Sequence, residues 1–220
     1  MQEVMRTFSE LAQGLGITLS LFALTLVIAI PVGFLGSYAS MSRNRFGRGL
    51  FNVYVAVMRG TPLILQVVFV YFGLNLMFKN MGAPFRLDRF ASALLAFSLN
   101  YIAYFSEIFR GGIQSINRGQ REAAAVLGLT PRQTMFRIIV PQVFKIVLPS
   151  IGNEVINLVK DTALVSMIAL GDLLKYAYSA SMREANVMPL VVAAVFYLAI
   201  NAVVSVVLRQ IEKRMSYYRF

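Results

Sequence analysis

The 220-residue sequence contains no cysteine and no histidine. The first absence excludes disulfides, thiol catalysis and thiolate metal sites, and leaves the redox compartment open. The second removes the commonest general base and metal ligand, which argues against a zinc hydrolase. No Gly-Lys dipeptide occurs, so the chain lacks the Gly-x-x-x-x-Gly-Lys-Ser/Thr loop that cradles ATP phosphates. Charged residues are also scarce, at 14% against about a quarter in soluble domains. The expectation is a chain that itself holds no metal and no cofactor.

What the sequence has instead is apolar length. Hydrophobic residues make up 58% of the chain, and five runs are long enough to cross roughly 30 Å of hydrocarbon. They cover about 17–39, 51–78, 90–109, 142–170 and 187–208. Before the first, Phe8, Leu11 and Leu15 recur at helical spacing between Glu3, Arg6 and Glu10, which suggests a short helix lying at the interface. The first run carries no charge and bends or tilts around Pro31, Gly33 and Gly36. It is too long for a signal-peptide core and lacks a basic flank, so it reads as an uncleaved span. In the second, Pro62 lacks a donor and must break or kink the helix, while Arg59 snorkels or pairs with a neighbour. A loop with Gly82 and Pro84 leads to the third run, which holds Asn100, Tyr101 and Tyr104, with Glu107 near its end. The fourth is interrupted by Pro149, Gly152 and several polar residues, and a polar interval to Asn186 precedes the fifth. The fold class is therefore an all-α membrane protein with five transmembrane helices, one membrane-spanning domain over residues 1–220 without internal repeats.

The net charge of +11 is distributed by topology, between apolar runs and not along one face, so no nucleic-acid partner is expected. Thirteen Lys and Arg fall on the side of the Arg43–Arg48 loop, the Arg110–Lys145 segment and the tail; six fall on the other. By the positive-inside rule the amino terminus is outside and the carboxyl end cytoplasmic.

The longest polar interval, 115–141, carries the strongest turn signals. Gln120 to Leu127 reads as a short helix with Glu122 in its first turn, where the macrodipole favours an anion. Gly128 suits the left-handed residue that ends it. Thr130, Pro131 and Gln133 then form a Thr-x-x-Gln capping box. The segment reads as two short helices meeting at a glycine elbow, a docking element facing the cytoplasm. Inside the fourth span, Glu154, Asn157 and Asp161 share one helical face, the carboxylates about 10 Å apart along the axis. An ionised carboxylate in lipid costs ~2.5 kcal/mol or more, so this face meets a wet cavity or a partner. Two such acids suit a cationic or zwitterionic ligand, with Asn100 and Gln66 as neutral donors to an α-carboxylate. The alternative is structural: either acid pairs with Lys160, Arg110 or Arg59. The two acids share one helix, which argues against intramembrane aspartyl chemistry.

Glu122-Ala123-Ala124, Gly128, Ile138 and Val140-Pro141 at these spacings resemble the EAA loop of ABC-importer permeases, with Val140 where that family prefers leucine. Arg59-Gly60-Thr61-Pro62-Leu63, and Gly152-Asn153 followed by Lys160-Asp161-Thr162, resemble the polar amino-acid branch. The resemblance runs from about Gly14 to Lys213. It implies a type I importer fold whose coupling helix, through Glu122, Ala123, Ala124, Leu127 and Gly128, inserts into a groove on a cytoplasmic ABC ATPase dimer. ATP and Mg would be bound there. It further implies a second permease copy or homologous sister permease, an extracytoplasmic amino-acid-binding protein, and a place as a multi-pass protein of the bacterial cytoplasmic (inner) membrane. An acid at 154, a position expected to vary with substrate, leans toward a basic amino acid. Two readings compete with it: an ion-gradient-driven secondary carrier, in which the acids would bind protons or cations, and a non-transporting membrane scaffold.

Overall fold

The first helix, α1 (Gln2–Ser40), runs unbroken through the segment expected to lie flat at the interface. The computed structural model describes residues 2–82 and 85–215, with side chains from residue 8 onward, so Pro84 and the side chains of Glu3 and Arg6 fall outside what is described. Within α1, Leu11 is fully buried against Leu173, Ala177 and Ala193. The helical spacing that suggested a surface helix is thus part of the packing stripe of a longer one.

Helix α2 (Arg45–Gly60) starts at Asn44, whose side chain accepts from the N–H groups of Phe46 and Gly47. Thr61 and Pro62 are both extended, and α3 (Leu63–Asn80) follows as a membrane-length run. The second span, expected at 51–78, is therefore two helices, and its first ten residues belong to the polar-faced α2. A wide π turn occupies Phe69–Leu74 within α3. Helix α4 (Arg89–Ser115) outruns the expected third span at both ends and is capped by Asp88, which accepts from Ala91 N–H at 2.7 Å.

After the short α5 (Arg118–Val126) comes α6 (Pro131–Ile168). It is continuous where an interrupted span was expected. A π turn at Met135–Ile139 precedes Pro141, and the last turns, Thr162–Ile168, tighten to 3₁₀ geometry. Glycine and polar residues in the middle weaken local propensity, but packing on α4 overrides a preference worth ~1 kcal/mol per residue at most. The polar interval between the fourth and fifth runs holds a helix, α7 (Leu173–Glu184), which its composition did not suggest. Asp172 caps it through the N–H groups of Leu174 and Lys175, and Leu173, Ala177 and Ala180 form its buried stripe. Helix α8 (Met188–Met215) closes the described chain. Five helices among the described residues can cross a membrane, namely α1 from Phe8, α3, α4, α6 and α8.

The core is built on α4. Phe97, Tyr101, Phe105, Phe109 and Ile113 recur every four residues and are almost fully buried against α1, α3 and α6. Two glycines let helices approach it: a Cβ on Gly33 would lie 2.7 Å from Phe105 Cβ, and one on Gly112 would lie against Val147 Cγ1. A second contact joins α7 to α1. Leu173 N–H donates to the buried Thr18 hydroxyl at 3.2 Å, and Arg183 holds Glu10 through two hydrogen bonds of 3.3 and 3.0 Å. Asp172 is fully buried there, and burial pushes its carboxyl up to about 6.

At that contact a Cβ on Gly14 would lie 2.7 to 2.8 Å from backbone atoms of Asp172 and Leu173, which have no rotamer to give. Gly14→Ala is expected to lower stability by about 1–3 kcal/mol. Gly16→Ala, with nothing within 4 Å, should leave stability unchanged or slightly raised. Thermal unfolding of both variants in detergent checks this; equal melting would remove the tight contact.

Candidate functional site

The site begins with a missing proton. Pro62 has no N–H, so the carbonyl of Met58, which an unbroken helix would pair with residue 62, loses its donor. Two side-chain amides replace it: Gln66 Nε2 donates to Met58 O at 2.9 Å, and Asn100 Nδ2, from α4, donates to the same oxygen at 3.0 Å. Gln66 Nε2 also lies 3.2 Å from Thr61 O and 2.8 Å from its Oγ1, while Asn100 Nδ2 donates to Gln66 Oε1 at 3.0 Å. Thr61 finishes α2 by placing both its N–H and its hydroxyl on Val57 O, at 3.1 and 2.8 Å. A backbone carbonyl left without a partner at a helix break is costly, so this knot supports the chain where it breaks.

The break forms one wall of a cavity of about 570 Å³. Arg59 to Ile64 line it from the α2–α3 junction, Asn100, Tyr101 and Tyr104 from α4, and Glu154, Asn157, Asp161 and Leu164 from α6. Glu154, Asn157, Asp161 and Asn100, four of the five residues expected to meet a ligand, thus share one cavity. Gln66 stands behind its wall. The expectation that Gln66 and Asn100 offer donors to a carboxylate is altered, because their amide protons are committed to the helix break and to each other.

The acids are arranged differently from the structural alternative. Asp161 accepts from the Tyr101 hydroxyl at 2.7 Å. Neither Glu154 nor Asp161 forms an ion pair among the described residues; Lys160 is exposed, and the two arginines considered as partners converge on Glu107 instead. Arg110 holds that carboxylate through Nε to Oε1 at 2.9 Å and Nη2 to Oε2 at 2.7 Å. Arg59 Nη1 lies 3.7 Å from Oε2, with its guanidinium 5.3 Å from the centre of the Tyr104 ring. Arg59 also borders a second cavity of about 740 Å³, lined by Arg48, Asn52, Glu107, Arg110 and Gln114 among others. The partners Tyr101 and Glu107 were beyond sequence reasoning, since the Tyr101–Asp161 pair is separated by 60 residues. The one available signal was that three charged residues, Arg59, Glu107 and Arg110, each sit near a helix end and can meet there.

The glycine elbow forms as its spacing requires. Gly128 has φ +73°, and the N–H groups of Leu129 and Gly128 reach back to Ala124 O and Ala125 O at 3.0 Å each, a Schellman closure. Thr130 and Gln133 make the reciprocal capping box, with Pro131 at N1. Two details differ from expectation. Helix α5 starts at Arg118 under an Asn117 cap, so Glu122 lies beyond the first turn, and the second helix is not short but runs on into α6. Of the proposed docking residues Ala124 is buried, while Glu122, Ala123, Leu127 and Gly128 are exposed, Leu127 to 76%. Leu127 lies beside Val126, itself 88% exposed, so the elbow presents apolar side chains on its surface.

Residues 29–217 match the family of binding-protein-dependent transport system inner membrane components. The chain is 37% identical over 205 residues to the arginine transport system permease protein ArtQ of Bacillus subtilis, covering 93% of this chain and 91% of that one. It is 34% identical over 209 residues to the glutamine transport system permease protein GlnP of Escherichia coli K12, covering 94% and 93%. Among solved structures, an amino acid ABC transporter crystallised with histidines superposes with a TM-score of 0.85 at 31% identity, covering 96% of each chain.

The knot at Met58 makes a coupled prediction. Gln66→Leu is expected to destabilise the protein by about 1–3 kcal/mol, because Met58 O loses one of its two amide donors and the buried Asn100 amide loses its acceptor on Gln66. In a Pro62→Ala background, where residue 62 regains an N–H for Met58, the same substitution should cost less. Denaturation of the four proteins in detergent measures the difference, and strict additivity would mean the amide does not serve that carbonyl.

Proposed function

We infer that the protein is the membrane-spanning permease of an ATP-driven amino-acid importer, from the premise that the chain belongs to the binding-protein-dependent transport system inner membrane component family. It is a multi-pass inner-membrane protein and a transporter subunit, not an enzyme. Its ATPase is a separate subunit, an extracytoplasmic binding protein delivers substrate, and a second permease, identical or homologous, completes the path. The similar permeases named for arginine and glutamine transport support amino acids as the class.

Within that class we propose a basic amino acid, with the amino terminus outside and the elbow in the cytoplasm. The observation that carries the substrate reading is a pair of carboxylates, Glu154 and Asp161, lining one cavity with no cation paired to either among the described residues. Glu154 takes the cationic side chain and Asp161 the α-ammonium, with Asn157 between them. In this reading ATP and Mg are bound on the partner ATPase dimer. Its closure acts on the exposed surface of Glu122, Ala123, Leu127 and Gly128, with Ala124 packed beneath, and α6 carries the displacement toward the acids.

An ion-gradient-driven carrier would use the same acids as proton or cation sites. Uptake that follows ATP and survives an uncoupler separates the two. Glu154→Gln is expected to reduce uptake of arginine and lysine by about tenfold or more, the weight of one charge-assisted hydrogen bond, while glutamine uptake changes little. Equal losses for all three would reject the basic reading. Gly128→Val places a β-branched residue at φ +73°, strained by about 1–3 kcal/mol. We expect ATP-driven uptake to fall at least tenfold with membrane insertion and yield unchanged, as measured in reconstituted vesicles; normal uptake would remove the docking role.

A further inference from the structure

A zwitterion also needs a partner for its carboxylate, and the two amides that could have supplied one are committed to the helix break. The charge balance around Glu107 supplies another. Two guanidiniums share that single carboxylate, and Arg110 occupies both of its oxygens, at 2.9 and 2.7 Å. Arg59 is left at 3.7 Å, outside hydrogen-bond range, with 45% of its side chain exposed and its plane resting near the Tyr104 ring. One positive charge therefore faces the cavity without a full partner, while Glu154 and Asp161 stand on the wall contributed by α6. A cavity with surplus positive charge on one wall and surplus negative charge on another complements a zwitterion.

We propose that Arg59 is the α-carboxylate-binding residue of this cavity. The assignment rests on the importer reading but not on a basic side chain, since every α-amino acid brings the same carboxylate. Arginine's planar fork suits a carboxylate in two-point contact, which a lysine at this place would not reproduce. Because Arg59 also borders the second cavity, beside Arg48 and Arg110, a carboxylate released from it meets further cations and not a bare apolar wall.

The test uses the full complex of permease and ATPase, without the binding protein, titrated calorimetrically with arginine, argininamide, glutamine and glutaminamide. In the wild type, amidation of the carboxylate should weaken binding about 10- to 100-fold. In Arg59→Gln the acid and its amide should bind within about threefold of each other, and Arg59→Lys should fall between. Glu107→Gln separates a positioning role from a binding one: it removes the same ion pair, yet should keep or increase the preference for the acid. The proposal is overturned if wild type binds acid and amide alike, if Arg59→Gln weakens both equally, or if Glu107→Gln reproduces the loss. Should arginine fail to bind while glutamine binds and is discriminated from glutaminamide, the basic-substrate reading fails and the Arg59 assignment stands.

Discussion

The architecture depends on how one backbone carbonyl is satisfied. Met58 O sits where Pro62 has removed its helical donor, in a segment that must remain within reach of the membrane. The protein brings two amides to it, one from the following helix and one from α4. That solution fixes three things at once: the angle between α2 and α3, the register of α3 on α4, and the concave wall on which the cavity depends. Asn100 is 4% exposed because it works as a structural clamp first.

Where sequence was informative, the cause was local chemistry. The elbow could be read in full because each part is a short-range rule: a left-handed glycine, a capping box, a proline at N1. The shared face of Glu154, Asn157 and Asp161 could be read because helical period alone sets it. What could not be read was decided at long range. The chain from 171 to 186 looks polar, yet Asp172 caps a helix whose alanines bury against α1 and α8, and only the presence of those neighbours makes so weak a stripe helical. The split at Thr61–Pro62 was visible as a break but not as a boundary, since apolar residues continue on both sides.

The same distinction explains the polar residues. Gln66 and Asn100 looked like ligand donors because amides in a membrane need partners, and the argument from type is sound. Their partner turned out to be the chain's own backbone, which no residue-type argument can exclude. Arg59, Glu107 and Arg110 are a second case. Each alone reads as an interfacial charge; together they leave an excess guanidinium beside an acidic cavity, a property of the set and not of any member.

The elbow and the cavity are joined by one helix, α6. From Pro131 the helix runs without a break to Asp161 and then tightens, so Glu154 lies roughly 35 Å from the elbow at 1.5 Å per residue. It packs tightly on α4 near its middle, where Gly112 lacks the Cβ that would collide with Val147. Val147 is nearly equidistant from Pro131 and Asp161 in sequence, so the contact that admits no side chain at 112 ties α6 to α4 about midway between the elbow and the acids. Elbow and acidic face are thus the two ends of one helix whose middle packs on the core helix, which is why a capping signal at 130–133 and a helical face at 154–161 belong to a single element.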